Sequence, residues 1–184
     1  QAGKVYDGAH LHTFMSDQAL SEAVAHFRAG EAESRRTGGK LWSVFATACD
    51  VSEERYLKLI VARLATYLQI PGYGEALVNV NGWDMDTLNS FRSAPIVAGM
   101  TGAIDSVASY TELAEIEKLI PQEWRPAAVG DAKTCAQRWL DQFNAGADGI
   151  IIHASTPEEF APVLAEYERI RPSALFAQRT NRPG

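Results

Sequence analysis

Two stretches of the chain repeat one pattern, and this repetition constrains the fold more than any other feature of the sequence. Residues 2–12 read Ala-Gly-Lys-Val-Tyr-Asp-Gly-Ala-His-Leu-His, and residues 145–153 read Ala-Gly-Ala-Asp-Gly-Ile-Ile-Ile-His. Each stretch has a glycine that can end a helix, an Asp-Gly turn, a short apolar run and a terminal histidine. Each stretch is followed by residues that favour the start of a helix. The pattern predicts a buried strand between two helices, which is the unit of a parallel sheet.

The rest of the sequence extends this alternation. The repeats predict strands at residues 9–11 and 150–152, and a third strand is predicted at residues 41–48, whose sequence is Leu-Trp-Ser-Val-Phe-Ala-Thr-Ala. A further helix is predicted from about residue 106 to residue 120, before Pro121. Polar side chains suited to cap the other helices are Ser16, Asp50 or Ser52, Asp131 and Thr156.

Strands that alternate with helices predict an α/β fold with a parallel sheet and right-handed crossovers. Three strands alone would leave two bare sheet edges and an uncovered face. We therefore expect the C-terminal part (about three strands) of a (β/α)8 TIM barrel over residues 1–172, with an insertion of short helices and loops at about 70–100. Residues 173–184 form a predicted C-terminal tail. A doubly wound open sheet is the alternative, although no GxGxxG loop follows a strand.

Composition excludes several classes of function. The formal net charge is −6 and the 17 Lys and Arg residues are scattered, which predicts no nucleic-acid partner. No apolar run reaches the roughly 18 residues that span a membrane. Cys49 and Cys135 have no metal-ligand spacing, and we interpret both as reduced, buried thiols of a cytoplasmic protein. The chain opens on Gln-Ala-Gly, a helix-ending pattern, so we expect it to begin in mid-fold.

Three motifs in this order resemble the C-terminal portion of the luciferase-like monooxygenase superfamily, above all its branch that uses the deazaflavin coenzyme F-420. They are Ala-Gly-Lys-Val-Tyr-Asp-Gly at residues 2–8, Val-Gly-Asp at residues 129–131 and Ala-Gly-Ala-Asp at residues 145–148. Tyr6 replaces the alanine that the family usually has before Asp-Gly. The resemblance covers residues 2 to about 170.

The resemblance implies an oxidoreductase that transfers a hydride between its coenzyme and a small organic substrate. Coenzyme F-420 is the first expectation and FMN the second. The family's catalytic residues lie largely in the N-terminal half, which this chain lacks, so no catalytic residue is assigned here. We expect the missing half of the same protein as a partner, no turnover by this chain alone, and a homo-oligomer. The alternatives are a fragment of another phosphate-binding TIM-barrel enzyme and a non-catalytic oligomerisation or binding domain.

The candidate ligand-binding residues follow predicted strands, because chemistry in a β/α barrel lies at the C-terminal ends of the strands. His12 and His153 both occupy such positions, and imidazole can bind a phosphate or transfer a proton near neutral pH. The alternative for each is a histidine that binds backbone at a strand end. Thr13 offers a hydroxyl to an anion in the same loop. No metal site is predicted.

Arg125 is the fourth candidate binding residue. It precedes Pro126, which favours an extended backbone, and it leads into the Val-Gly-Asp motif. The family that this chain resembles includes members that oxidise sugar phosphates. These members have a similarly placed arginine that binds the phosphate, and a guanidinium suits that anion. The alternative is a surface arginine paired with Glu123.

Aromatic side chains near the insertion have two interpretations. Tyr67, Tyr73 and Trp83 cluster there, where the family's insertion walls the substrate pocket, although such residues are as often loop packing. For Phe14 we favour core packing. Asp148 is interpreted as a turn former.

Overall fold

The computed structural model describes residues 1–176, in which four strands form a parallel sheet. They are β1 (Gly8–His10), β2 (Lys40–Cys49), β3 (Ala128–Gly130) and β4 (Gly149–His153). The predicted strands correspond to β1, β2 and β4 and are confirmed to within two residues. The predicted count of about three was one too low, because β3 has only three residues and shows no periodicity of its own.

β2 pairs with each of the other three strands. β1 pairs with residues 40–42, β4 with residues 42–46 and β3 with residues 47–49. Within residues 1–176, β1, β3 and β4 pair with no strand except β2, so this sheet is open. The α/β class with a parallel sheet is confirmed, and the described strands do not close into a barrel.

The two faces of β2 have different surroundings. Leu41 and Phe45 are buried on one face, where Ser43 donates a hydrogen bond to the Gln142 side chain (2.7 Å). On the opposite face, Trp42 is 39% exposed. Ile151 of β4 pairs with Val44 on that same face and is 40% exposed. An apolar sheet face near the start of the strands is therefore open to solvent.

Helices cover the buried face and the C-terminal end of the sheet. α2 connects β1 to β2, and α10 connects β3 to β4. A short π-helical segment, Leu57–Val61, joins α3 to α4. The helix bounds are α1 Ala2–Val5, α2 Asp17–Glu33, α3 Glu53–Tyr56, α4 Ala62–Gln69, α5 Tyr73–Asn81, α6 Met85–Ser93, α7 Pro95–Ala98, α8 Ile104–Val107, α9 Tyr110–Glu117, α10 Ala132–Asn144, α11 Pro157–Ile170 and α12 Ser173–Phe176.

The local signals for helix starts are confirmed. Ser16, Ser52, Asp131 and Thr156 each accept a hydrogen bond from a backbone N–H in the first turn of the following helix. These side chains satisfy donors that the helix itself leaves without partners. Of the two caps considered before α3, Ser52 is the one used.

The insertion predicted at residues 70–100 consists of the short helices α5, α6 and α7. The single helix predicted at residues 106–120 is wrong, because the backbone of Ala108 is extended and separates α8 from α9. Ser109 then starts α9 in a capping box with Glu112. Residues 173–176 of the predicted tail form α12, and residues 177–184 lie outside the described part of the chain.

The insertion shares one core with the helices around it. Leu88 of α6 is fully buried in the same cluster as Ile104 of α8 and Leu113 of α9. Trp83 stacks on Trp124 with ring centroids 4.8 Å apart and an interplanar angle of 8°. The insertion is therefore a packed helical layer over the end of the sheet, and Trp83 belongs to that core.

Asp148 does more than form the predicted turn. Its carboxylate accepts hydrogen bonds from the Leu41 backbone N–H (2.8 Å) and from Arg28 (2.6 Å). Arg28 also pairs with the buried Glu31, which in turn accepts from the Gly39 backbone N–H (2.7 Å). These contacts connect the start of β4 to β2 and α2, and they explain why a charged residue is retained just before a buried strand.

The hydrogen bond between Trp139 and Thr47 gives a test of the packing on β2. The indole N–H donates to the Thr47 hydroxyl (3.0 Å), and both side chains are buried. Thr47→Val keeps the shape and leaves the indole donor without a partner, which costs about 1–3 kcal/mol. We expect the melting temperature, measured by circular dichroism, to fall by roughly 2–12 °C.

The matched control is Thr111→Val, because Thr111 is exposed on α9. This control should melt within about one degree of wild type, as surface changes usually have small effects. A wild-type melting temperature for Thr47→Val would show that the buried hydrogen bond does not stabilise the fold.

Candidate functional site

The C-terminal ends of parallel strands meet at one edge of the sheet, and this edge gathers the candidate residues. β1 ends at His10 and leads into the loop that contains His12 and Thr13. β4 ends at His153, whose backbone pairs with Ala46 of β2. The two histidines of the repeated sequence pattern are thus brought to the same end of the sheet.

Unusual backbone conformations are concentrated at this edge. Three strands are followed within a few residues by a non-glycine residue of positive φ, Phe14 at 63°, Asp50 at 48° and Ala154 at 81°, and the fourth, β3, ends on Gly130 at 127°. Residues other than glycine rarely adopt such angles because of steric conflict at Cβ. Strained residues of this kind cluster at functional sites, which favours this edge as the binding region.

His12 is held by hydrogen bonds on both of its ring nitrogens. Nδ1 lies 2.9 Å from the Thr13 carbonyl oxygen, and Nε2 lies 2.8 Å from the Tyr73 hydroxyl oxygen. Its ring also makes edge contacts with Tyr67 and Tyr73, at centroid distances of 4.7 and 5.2 Å. The backbone contact considered as an alternative for His12 is therefore present, and it coexists with a side-chain partner.

Thr13 and Phe14 have opposite surroundings although they are adjacent. Phe14 is fully buried and its ring meets Tyr67 at 6.2 Å, as expected for core packing. Thr13 is only 3% exposed, yet its hydroxyl has no hydrogen-bond partner within the described residues. A buried hydroxyl in that state calls for an explanation, because buried polar groups are almost always paired.

His153 also has a buried polar atom without a hydrogen-bond partner in the described structure. Its ring is half-buried, and Nδ1 has no partner among residues 1–176. Burial lowers the pKa of His153, and the positive charge of Arg63 lowers it further. His12 and His153 lie at the same end of the sheet, after β1 and at the end of β4.

Arg63 is a site residue that the sequence interpretation missed. It lies on α4 and forms an ion pair with Asp105 (2.8 Å). Burial raises the pKa of Tyr67, and the charge of Arg63 opposes that increase. The available signal was helical spacing, since residues four apart lie on one helix face and Tyr67 was already singled out.

Arg125 occupies a different place from the other three candidates. Its guanidinium donates to the Tyr56 hydroxyl (2.9 Å) and pairs with Glu117. The partner considered in the surface alternative, Glu123, is wrong, because the end of α9 places Glu117 beside the guanidinium. Arg125 Nε is buried without a partner in the described structure.

A groove of about 260 Å³ opens beside His12, between the loop after β1 and helix α5. Apart from His12 and the Tyr73 hydroxyl, its lining is apolar. The lining residues are His12, Met15, Tyr73, Ala76, Leu77 and Val80.

The remaining chemistry-bearing groups are few. Cys49 and Cys135 are buried free thiols, and burial raises the pKa of both, that of Cys135 to about 12. In the part of the chain that the structure describes, no group of three His, Cys, Asp or Glu side chains could hold a metal ion. None of the helices there has both the length and the apolar character needed to cross a bilayer.

The lowered pKa of His153 predicts a pH effect. The unfolded chain takes up this proton near the ordinary histidine pKa of about 6.5, whereas the folded protein takes it up at a lower pH. The contribution of His153 to stability is therefore fully present above pH about 6.5 and declines as the pH falls below it. We expect the imidazole ¹⁵N signals of His153 to titrate with a midpoint below 6.5.

His153→Gln identifies the signal among the four histidines. The same variant should show a smaller loss of melting temperature between pH 7 and pH 5 than wild type. A His153 midpoint at or above the ordinary value would contradict the buried, neutral imidazole.

Comparison with known proteins gives a likeness in fold. No family model matches the chain, and no curated protein matches it. The structure superposes on the coenzyme F-420-dependent tetrahydromethanopterin reductase from Methanopyrus kandleri with a TM-score of 0.62 at 16% identity.

This match covers 91% of the present chain and 45% of the reductase chain. The chain therefore spans less than half the length of that protein. At this level of identity the likeness establishes the fold alone, an α/β architecture with a parallel sheet.

Proposed function

We propose that the chain is the C-terminal part of a luciferase-like oxidoreductase that uses coenzyme F-420 and acts on a small organic substrate. The observation that carries the proposal is a pair of buried polar atoms, Thr13 Oγ1 and His153 Nδ1, without partners at the functional edge of the sheet. The fold shared with an F-420-dependent reductase supports the identity of the ligand that would pair with them.

Thr13 and His153 suit the polar edge of a deazaflavin. The ring of such a coenzyme presents carbonyl and N–H groups, and a hydroxyl can donate to the first and accept from the second. The pKa of His153 is lowered by burial, so its ring binds as a neutral group and brings no charge to the pocket. When bound, the coenzyme supplies a ring carbon that accepts or donates hydride. FMN presents a similar ring edge and is the second candidate.

The other residues of the edge would shape and orient this pocket. Arg63 provides a positive charge that Asp105 neutralises in part. The buried Phe14 and half-buried Tyr67 form an aromatic wall behind the His12 loop. Since the strained loops after β1 and β4 hold Thr13 and His153, the donors are fixed before a ligand arrives.

A further segment of the same protein is proposed to complete the sheet. Two observations support it: the apolar face around Trp42 and Ile151 is open, and the match spans 45% of the reductase chain. Open edges and exposed apolar faces also favour association with a second copy. We propose that the chain alone self-associates and has no turnover, because much of the cleft that buries a ligand would come from the other segment.

Coenzyme binding is tested with the product of the complete reading frame. We expect fluorescence titration to show F-420 binding that Thr13→Val and His153→Gln each weaken roughly twofold to tenfold, the effect of one neutral hydrogen bond. The matched controls are Thr111→Val and His26→Gln, both at exposed helix positions. The controls should bind like wild type.

Each result bears on one part of the proposal. Wild-type affinity in Thr13→Val and His153→Gln would remove these residues from the coenzyme site. A complete protein that binds neither F-420 nor FMN would contradict the oxidoreductase assignment. An isolated chain that is monomeric by light scattering and turns over substrate with F-420 would contradict the need for a further segment.

Arg125 supports a second candidate function, that of a barrel enzyme that binds a phosphorylated ligand. Its Nε is buried and unpaired, which leaves a donor for an anion even though Glu117 and Tyr56 bind the other side of the guanidinium. A charge-assisted hydrogen bond is worth about 1.5–3 kcal/mol, so Arg125→Ala should raise KM roughly tenfold to a hundredfold. A remote grip of this kind leaves kcat nearly constant.

The measurement is steady-state kinetics of the complete protein, with melting temperature as the control for folding. Arg125→Lys should recover part of the loss, because a point charge keeps the attraction without the bidentate geometry. If KM stays constant in Arg125→Ala while the melting temperature falls, Arg125 serves only to connect Glu117 and Tyr56.

A further inference from the structure

The groove beside His12 has a polar end that is defined by a hydrogen-bonded pair of side chains. At this end, Tyr73 Oη lies 2.8 Å from His12 Nε2. Ala76, Leu77 and Val80 of α5, together with Met15, form the rest of the lining. The groove is thus apolar along its length and polar at one point.

The hydrogen bonds of His12 determine what that polar point can accept. The Thr13 carbonyl oxygen only accepts hydrogen bonds, so His12 Nδ1 must donate to it. In the neutral imidazole, Nε2 then carries the lone pair and accepts the proton of the Tyr73 hydroxyl. The Tyr73 oxygen is left with lone pairs and no proton to offer, and it can therefore accept a hydrogen bond from a ligand.

The volume of the groove and the chemistry of its lining restrict the class of ligand further. A volume of about 260 Å³ suits a compact molecule, somewhat smaller than a drug-sized ligand. None of the six lining residues is an Asp, Glu, Lys or Arg, and burial of a charged ligand against apolar side chains would be unfavourable. The lining therefore favours a neutral ligand over a phosphate or a carboxylate.

We propose that this groove binds a compact, neutral molecule with an apolar body and a hydroxyl group that donates a hydrogen bond to Tyr73 Oη. We assign this molecule as the substrate of the proposed oxidoreductase, and only that assignment rests on the proposed function. A hydroxyl in that position lies beside a proton acceptor, because Tyr73 is itself hydrogen-bonded to the lone pair of His12. Tyr73 and His12 thereby select an alcohol over a molecule of the same shape that lacks the O–H.

The test uses two probes, 4-tert-butylcyclohexanol and its methyl ether, in which a methyl group replaces the hydrogen of the O–H donor. Binding to the ¹⁵N-labelled full chain is followed by amide and imidazole chemical shifts. We expect the alcohol to bind roughly twofold to tenfold more tightly than the ether, the effect of one neutral hydrogen bond. The shift of His12 Nε2 should respond to the alcohol and much less to the ether.

Two variants separate the polar contact from the apolar one. Tyr73→Phe should abolish the preference for the alcohol, and the half-exposed position of Tyr73 makes a folding defect small. Val80→Ser, at a position 45% exposed, should weaken both probes to a similar extent. Tyr6→Phe, at a position 63% exposed and outside the groove, is the matched control and should change neither affinity.

The outcomes distinguish the groove from the coenzyme site. Equal affinities for alcohol and ether in wild type, a preference that survives Tyr73→Phe, or no binding of either probe would overturn the proposal. F-420 titration of the complete protein is run in parallel. If the alcohol binds and the coenzyme does not, the proposed ligand of the groove is supported and the proposed function is contradicted. If the coenzyme binds and the alcohol does not, the proposed function is supported and the proposed ligand of the groove is contradicted.

Discussion

The arrangement of the site depends on β2, the long strand that hydrogen-bonds to all three other strands. β1 pairs with its start, β4 with its middle and β3 with its end. Because every pairing is parallel, all four strands end at the same edge of the sheet. The loops that follow β1 and β4 are thereby brought into one region, although nearly the whole length of the chain separates His12 from His153. Without this one strand, the two histidines of the repeated pattern would have no common location.

The repeat places two similar side chains in different chemical states. His12 has a carbonyl oxygen on one nitrogen and a hydroxyl on the other, so its ring is fully paired within the protein. His153 is half-buried, has an unpaired Nδ1 and a lowered pKa. An imidazole that is paired on both sides orients its neighbours, whereas an unpaired one is available to a ligand. The asymmetry follows from the helices over this edge: α5 of the insertion supplies Tyr73 to His12, and α4 supplies the charge of Arg63 to His153.

The sequence predicts those features of this fold that short-range physics determines. Helix caps such as Ser16 and Thr156 act within one turn, and the apolar run of β4 is visible in its own three isoleucines. β3 was not counted because three residues carry no periodicity, and its pairing depends on β2, about 80 residues away. The break between α8 and α9 arises from the Ser109 capping box, which competes with helix continuation. The pairing of Arg125 with Glu117, and that of Arg63 with Asp105, depends on how the insertion folds.

The loop after β1 and the apolar groove meet at His12, whose two ring nitrogens have different partners. His12 Nδ1 is fixed by the carbonyl of Thr13, the residue whose buried hydroxyl has no partner within the described residues. His12 Nε2 is fixed by Tyr73, which lines the groove. A ligand that pairs with the Thr13 hydroxyl and a ligand that occupies the groove would therefore both adjoin the loop that holds His12. The strained φ of Phe14 keeps the short loop in this conformation, so the separation of the two ligands would be set by backbone geometry rather than by flexible side chains.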